Sequence, residues 1–403
     1  MSVEYKGRRI ITSAAVATAV LAAVGMAHAK DPIRIGVPTA QSGTYADLGN
    51  QAIRAVEFAA KQANDAGGID GRMVEFRVYD SEAKPEVARR QAEKLALEGY
   101  NILTGTVASG EGLAMAPMLE RWDAIYVSTI NKSNKISGDS CVPRMFRVNK
   151  MDAQDGMVVE PWLASREEPK WAIMAADIAW GQDAAASFKK AAAATGKEIV
   201  TEHFSPFGTN DFAPYIQQIR DSGADGLWIA LAGRDAINFA QQAGQFGLFE
   251  VVTTGGVSFT VDNTVDTLGD ISKGIHGIIN YSSTLDTPEN KEFVEAWKAH
   301  FNGAEPSNFE GETYMGMQVI LEAVRRADSV APVDIAKQMH GGTFPTILGE
   351  LKIREEDHQI VAPNYFGIVD EYNGKLRPVI NMTIAAEDAT PPPSPDCQMG
   401  EIN

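Results

Sequence analysis

Candidate ligand-contacting residues sit in short loops that follow β-branched runs. Gly105-Thr106-Val107-Ala108-Ser109-Gly110-Glu111-Gly112 leads from such a run into a helical pattern. Ser109 and the neighbouring amides therefore stand where a helix start can hold an anion. The same residues also read as a glycine-rich turn with an N-cap serine and no ligand. Ser109 has Val107 where a nucleophile elbow needs glycine. Gly105, Gly110 and Gly112 lack the dinucleotide-fingerprint spacing, and no Gly-Lys-Ser/Thr phosphate loop occurs. His203, His276, His300, His340 and His358 show no paired ligand spacing, so neither a metal site nor a cofactor is expected. Asp357-His358-Gln359 reads as a structural polar network. Arg234 reads equally as an anion partner and as half of a surface ion pair. Tyr45, Trp180 and Phe259 could wall an apolar ligand or belong to a core.

The elements that must position these residues alternate between strand and helix. Extended runs at 33–37, 74–79, 102–103 and 125–127 are separated by helical patterns at 48–66, 85–98 and 113–122. Ala52, Val56, Ala59, Ala60 and Ala63 form one stripe of the first helix, which Gly67-Gly68 stops. A second series has strands at 171–175, 199–204, 227–231 and 251–253, with helices at 182–194, 212–222 and 236–246. Alternation of this kind specifies a parallel, doubly wound sheet, and two series specify two lobes. The last third has helices at 289–301 and 312–327, then strands at 347–353, 365–369 and 376–380. Crossovers are expected near 149, 281 and 358. They divide the chain into a signal peptide (1–29), lobe 1 (30–149 plus 281–357), lobe 2 (150–280 plus 358–386) and a Pro-rich tail (387–403). In doubly wound sheets ligands gather beyond the carboxyl ends of the strands. The loops that should meet there are 39–49, 105–112, 128–134, 176–182, 232–235 and 254–260.

Lys6, Arg8 and Arg9, an apolar stretch over 10–24 and Ala27-His28-Ala29 read as a Sec-type export signal. The apolar stretch falls short of the roughly 20 residues that span a bilayer. The first cysteine is Cys141, so no lipidated cysteine follows the cleavage point, and a soluble periplasmic protein is expected. Loss of three cations and Glu4 with the signal moves the formal charge from −17 to −19. That balance disfavours nucleic acid and anionic lipid as partners. Cys141 and Cys397 read as one disulfide pinning the tail 391–395, Pro-Pro-Pro-Ser-Pro, to the body; two free buried thiols are the rival reading.

Ile33-Arg-Ile-Gly-Val-Pro-Thr-Ala-Gln-Ser-Gly43, Gly49, Asn64-Asp-Ala-Gly-Gly-Ile-Asp-Gly-Arg72 and Tyr79-Asp80 resemble the leucine/isoleucine/valine-binding protein family of ABC importers. Ser109, Phe146-Arg-Val148, Trp180-Gly181-Gln182, Asn210-Asp-Phe212 and Asp225-Gly226 continue the likeness in order along nearly all of the chain after the signal. The resemblance implies a type I periplasmic binding fold of two lobes joined by three strands. It implies a non-enzymatic, monomeric protein that closes on a small organic ligand and hands it to a membrane permease. It places the ligand carboxylate on Ser109 and an aromatic cover at Trp180. Beside Ile130 and Asn131, Lys132 stands where amino-acid binders keep a threonine. Gly256 stands where they keep the acid that captures the ammonium, and Leu48 where some relatives have tryptophan. With Lys132 and Gly256 at those positions the expected ligand is an anion without an ammonium, such as a hydrophobic or aromatic carboxylate. Lys132 has a second reading, in which it faces solvent or pairs with Glu111 or Asp139. A branched-chain amino-acid or amide binder and a ligand sensor on the same fold are the alternatives.

Overall fold

The computed structural model describes residues 1–2 and 30–403, so the export signal lies, from residue 3 onward, outside the described residues. The chain begins with β1 (Ile33–Thr39), α1 (Ala46–Asp65), β2 (Val74–Asp80), α2 (Pro85–Leu97), β3 (Ile102–Thr104), α3 (Ser109–Met115), β4 (Ile125–Ser128) and β5 (Met145–Arg147). These strands make one parallel sheet in the order β2-β1-β3-β4-β5. The helix expected over 113–122 instead starts at Ser109. After Met115 a single 3₁₀ turn carrying Pro117 takes over, as a ring lacking N–H requires.

The second series is α4 (Asp152–Ala164), β6 (Lys170–Ala176), α5 (Ala179–Ala194), β7 (Glu198–Ser205), α6 (Ala213–Asp221), β8 (Gly226–Ala230), α7 (Gly233–Gln245), β9 (Thr253–Val257), α8 (Asp262–Leu268) and β10 (His276–Ile279). Next come α9 (Pro288–His300), α10 (Asn308–Ala327), α11 (Pro332–Met339) and a small antiparallel sheet of β11 (Thr343–Thr346), β12 (Gly349–Ile353) and β13 (Ile360–Val361). Phe293, Trp297, Met317, Ile320, Ile335 and Leu351 from this stretch pack with Ile33, Ile35 and Val37 of β1, so the chain has returned to the first body. It then crosses again to supply β14 (Asn364–Tyr372) and β15 (Lys375–Ile384) to the second sheet, whose order is β15-β14-β10-β9-β8-β6-β7. That sheet is parallel except at one edge, where β14 runs against both β10 and β15. Asn373-Gly374 makes this edge hairpin, with positive φ at both residues.

Both faces of the second sheet are covered, and consecutive residues of β6 serve different cores. Trp171, Ile173 and Ala175 pack with Phe188 and Trp228, while Ala172 and Met174 pack with Phe212, Ile229 and Phe239. β9 runs over Thr253–Val257, two residues later than the β-branched run at 251–253 suggests, and Val251 is exposed. Glycine reads as a poor strand former, but Gly255 is where Trp162 and Trp228 lie against the backbone, and a Cβ there would meet the Trp162 ring at 2.7 Å. Between the two bodies the described chain passes from β5 to α4, from β10 to α9 and from β13 to β14.

The Cys141–Cys397 disulfide is present, with Cα atoms 5.5 Å apart. The segment before it is also tied down, by Gln154 Nε2 donating to Thr390 Oγ1 at 3.0 Å and Arg354 Nη1 to the Pro391 carbonyl at 2.6 Å. The bridge closes a long loop, which removes chain entropy from the unfolded state. A Cys141→Ser, Cys397→Ser variant is therefore expected to lose about 2–4 kcal/mol of stability. Calorimetric melting with and without reductant checks this, and a melting temperature indifferent to both sinks it.

Candidate functional site

The carboxyl ends of β1, β3 and β4 in the first body face those of β6, β8, β9 and β10 in the second. The strand order of the first sheet reverses between β1 and β3, which opens a crevice at their ends. The loops there enclose about 490 Å³ of atom-free space, the mouth included. Leu48, Val107, Ile130 and Phe309 from the first body and Ile178, Val257, Val261 and Ile278 from the second make most of its wall. Tyr45 and Trp180 add aromatic faces. The polar lining is Ser109, Lys132, Ser258 and Asn280; among the described residues that line the cavity none is a carboxylate.

Ser109 opens α3 and is buried. Its Oγ accepts the backbone N–H groups of Lys132 at 3.1 Å and Ser133 at 3.0 Å, which leaves its own proton to donate. This bonding positions a donor and offers no base to withdraw the proton. Glu111 turns back along the same helix start, where one carboxylate oxygen accepts Val107 N at 3.0 Å and Ala108 N at 2.7 Å. Burial pushes its carboxyl up to about 7, and its hydrogen bonds, with Ser81 first, pull the other way. Asn131 is fully buried beneath this loop and does not line the cavity. Its Nδ2 donates to the Thr106 and Val107 carbonyls, both at 3.0 Å, and its Oδ1 accepts Thr106 Oγ1 at 2.9 Å and the Tyr126 hydroxyl at 2.6 Å. Expected as a ligand contact, Asn131 instead fixes the loop that carries Ser109.

Lys132 lines the cavity and is only 6% exposed. Its Nζ lies 2.8 Å from Asp155 Oδ2 and 3.0 Å from Oδ1, and donates to Asn280 Oδ1 at 2.9 Å. It therefore neither faces solvent nor pairs with Glu111 or Asp139. Asp155 belongs to α4, which the sequence pattern did not reveal: buried residues on several of its sides leave no stripe, and Pro161 lies inside it.

The second body departs from expectation at three positions. Gly256 lies inside β9, where a Cβ would come within 2.4 Å of the Ile229 carbonyl oxygen, so no side chain fits there. Ser258, two residues on, reaches the cavity with a backbone φ of 69°, a conformation rare outside glycine. Phe259 is fully buried among Phe212 and Phe239, and Phe309 of α10 supplies the cavity's phenyl ring instead. Arg234 points outward and is exposed. Its backbone N–H donates across the gap to the Thr44 carbonyl at 3.1 Å, so it belongs to the closure and not to the cavity lining.

Other contacts also join the bodies around the cavity. Asp183 of α5 accepts Asn134 N at 3.0 Å and the Ser133 hydroxyl, Asn263 Nδ2 donates to Asp47 Oδ2 at 2.5 Å, and Tyr45 meets Phe207 edge-on at 4.8 Å. The two bodies are closed on each other. His358 lies apart from the cavity, stacked on Phe146 at 4.0 Å, with Nδ1 at 3.0 Å from the Met145 carbonyl and Nε2 at 2.9 Å from His340. Burial lowers its pKa to about 4, as suits a neutral structural ring. Among the described residues no group of three His, Cys, Asp or Glu could hold a metal ion, and no helix is long and apolar enough to cross a membrane.

Residues 32–375 match the family profile described as periplasmic binding protein. A Leu/Ile/Val-binding protein homolog 8 from Brucella abortus is 25% identical over 351 residues, covering 84% of this chain and 87% of that protein. A solute-binding protein of an ABC transporter from Rhodopseudomonas palustris BisB5, solved in complex with 3,4-dihydroxybenzoic acid, is 25% identical. It superimposes with a TM-score of 0.81 over 88% of this chain and 98% of that one. A leucine-, isoleucine-, valine-, threonine- and alanine-binding protein from Brucella ovis in its closed conformation shares the fold at 19% identity and a TM-score of 0.79, covering 92% and 99%.

Ile130, Lys132, Tyr45, Ser109 and Trp180 meet at the cavity as the loop positions suggest. Asn280, Ser258 and Phe309 had no local signal, since each is an ordinary residue brought in by the paths of β10, β9 and α10. Asn131→Ala removes four buried hydrogen bonds and strands their partners, so a destabilisation of about 2–4 kcal/mol is expected although the side chain touches no ligand space. Urea unfolding measures it, and a loss under about 0.5 kcal/mol contradicts the scaffold role.

Proposed function

We propose that this chain, which belongs to the periplasmic binding protein family, is an exported solute-binding protein of an ABC importer. It closes its two bodies on a hydrophobic or aromatic carboxylate and delivers it to a membrane permease. One observation carries the reading: Ser109 and Lys132 both line a largely apolar cavity that no carboxylate among the described residues lines.

A zwitterionic amino acid would bring its ammonium into this cavity without an anionic partner. A buried unpaired cation costs several kcal/mol, which sets the preference against leucine and valine. A carboxylate finds donors. Ser109 keeps its hydroxyl proton, and Lys132 has three N–H donors of which Asp155 and Asn280 engage two. Tyr45, Trp180 and Phe309 offer faces to a ring, and the 3,4-dihydroxybenzoate complex of the Rhodopseudomonas relative supports that ligand class. Both bodies contribute to the lining, so a ligand contacts all of its partners only in the closed form and shifts the equilibrium towards it. Leaving Ser109→Ala without a donor should weaken carboxylate binding about tenfold.

A thermal-shift panel of benzoate, 4-hydroxybenzoate and phenylacetate against leucine and valine tests the reading. A ligand at about 100 times its dissociation constant stabilises by about 2.7 kcal/mol. The aromatic acids should raise the melting temperature and the amino acids should not. Stabilisation by leucine or valine alone overturns the proposal.

A further inference from the structure

Around Lys132 lies a buried set of charges drawn from both bodies, of which Lys132 itself and its partner Asn280 also line the cavity. Lys132 comes from the loop after β4, Lys150 from the connection between β5 and α4, Asp155 from the first turn of α4, Glu312 from α10 and Asn280 from the loop after β10. Lys150 Nζ donates to the Asn280 carbonyl at 2.6 Å, and Asn280 Oδ1 receives Lys132. Glu312 follows Phe309 by three residues on α10, so it shares the face of a side chain that lines the cavity. It is 2% exposed, and neither carboxylate oxygen sits in hydrogen-bonding geometry with the protein, although the Asn280 side chain lies beside it. Glu312 enters no ion pair among the described residues. The charges facing it are Lys132, Lys150 and Asp155. Asp152 adjoins the set, with Asp155, Lys132, Arg147 and Asp183 as its charged neighbours.

Around Glu312, two lysines balance two carboxylates when Asp155 and Glu312 are both ionised. A ligand carboxylate docking on Lys132 adds a third negative charge in a medium too dry to screen it. Asp155 keeps Lys132 as a donor and Glu312 has none, so of these two Glu312 is the one that gives way; burial already holds the Asp152 carboxyl, whose oxygens also lack partners, well above the usual carboxylate range. We infer that binding of a carboxylate ligand is accompanied by uptake of one proton from solvent onto a Glu312 carboxylate oxygen, so the closed site holds an anion and a proton together. This rests on the proposal that the cavity takes a carboxylate.

The sign of the pH dependence follows from the free protein. Burial pushes the Glu312 carboxyl up to about 7, against the pull of Lys132 and Lys150. A ligand anion raises it further. Below about pH 7 free and bound forms both carry the proton and affinity is flat. Above it the free form is ionised while the bound form is protonated, so affinity falls as pH rises, by at most about tenfold per pH unit for one proton. Lys150, brought down to about 8 by burial, contributes with the same sign. A variant is needed to separate the two.

Isothermal titration of the wild-type protein with benzoate at pH 8, in phosphate and in Tris, reads proton exchange directly and needs no variant. The apparent enthalpy should differ between the buffers in the direction of uptake, and the dissociation constant should rise about three- to tenfold between pH 7 and 8.5. Glu312→Gln should lose most of this buffer and pH dependence and keep only the smaller share that Lys150 contributes. Equal enthalpies in the two buffers, or proton uptake undiminished in Glu312→Gln, overturn the inference while leaving the carboxylate reading intact. Failure of benzoate, 4-hydroxybenzoate and phenylacetate to bind at any pH overturns the carboxylate reading, and this inference falls with it.

Discussion

The Lys132–Asp155 ion pair is the interaction on which the rest of the site depends. Its side chains are 7% and 5% exposed, and it joins a loop of the first body to a helix of the second directly under the cavity. Two charges taken out of water are costly unless they are close and well supported. Here Asn280 shares the ammonium, while Asp155 lies within reach of Lys150. The pair holds a cation at the cavity floor, and it does so only when the bodies are together. Removing either partner would leave the other buried and unmatched.

The loop that carries Lys132 does three jobs within three residues. The Lys132 and Ser133 amides hold the Ser109 hydroxyl, Lys132 lines the cavity, and Ser133 and Asn134 reach Asp183 on the other body. Ligand donors and closure contacts are therefore parts of one short backbone segment. Asn131 stiffens it from below and Arg147 from the side, through Nη1 to the Ser133 carbonyl at 2.6 Å. A segment so tied has little freedom to adjust to one lobe without the other.

The comparison with relatives gains meaning from this geometry. One protein of the same fold is solved with 3,4-dihydroxybenzoate, and another is a leucine-, isoleucine-, valine-, threonine- and alanine-binding protein. The fold supplies a crevice between strand ends, and a few lining residues decide what charge it accepts. In this chain the lining has one cation and no carboxylate among its described members.

The sequence by itself determined the two series of strands and helices, the loops that meet at the crevice and the cysteines available for a bridge. Each of these is written in local periodicity, turn chemistry or residue count. Residues in those loops, Tyr45, Ser109, Ile130, Lys132 and Trp180, were legible as cavity residues for the same reason. The partner of Lys132, the inward path of Ser258 over Gly256, the replacement of Phe259 by Phe309 and the outward direction of Arg234 emerge only in the folded chain. Those outcomes depend on which atoms distant segments bring within a few ångströms. Asp155 is 23 positions from Lys132 and Asn280 is 148 away, and no local pattern encodes such a meeting.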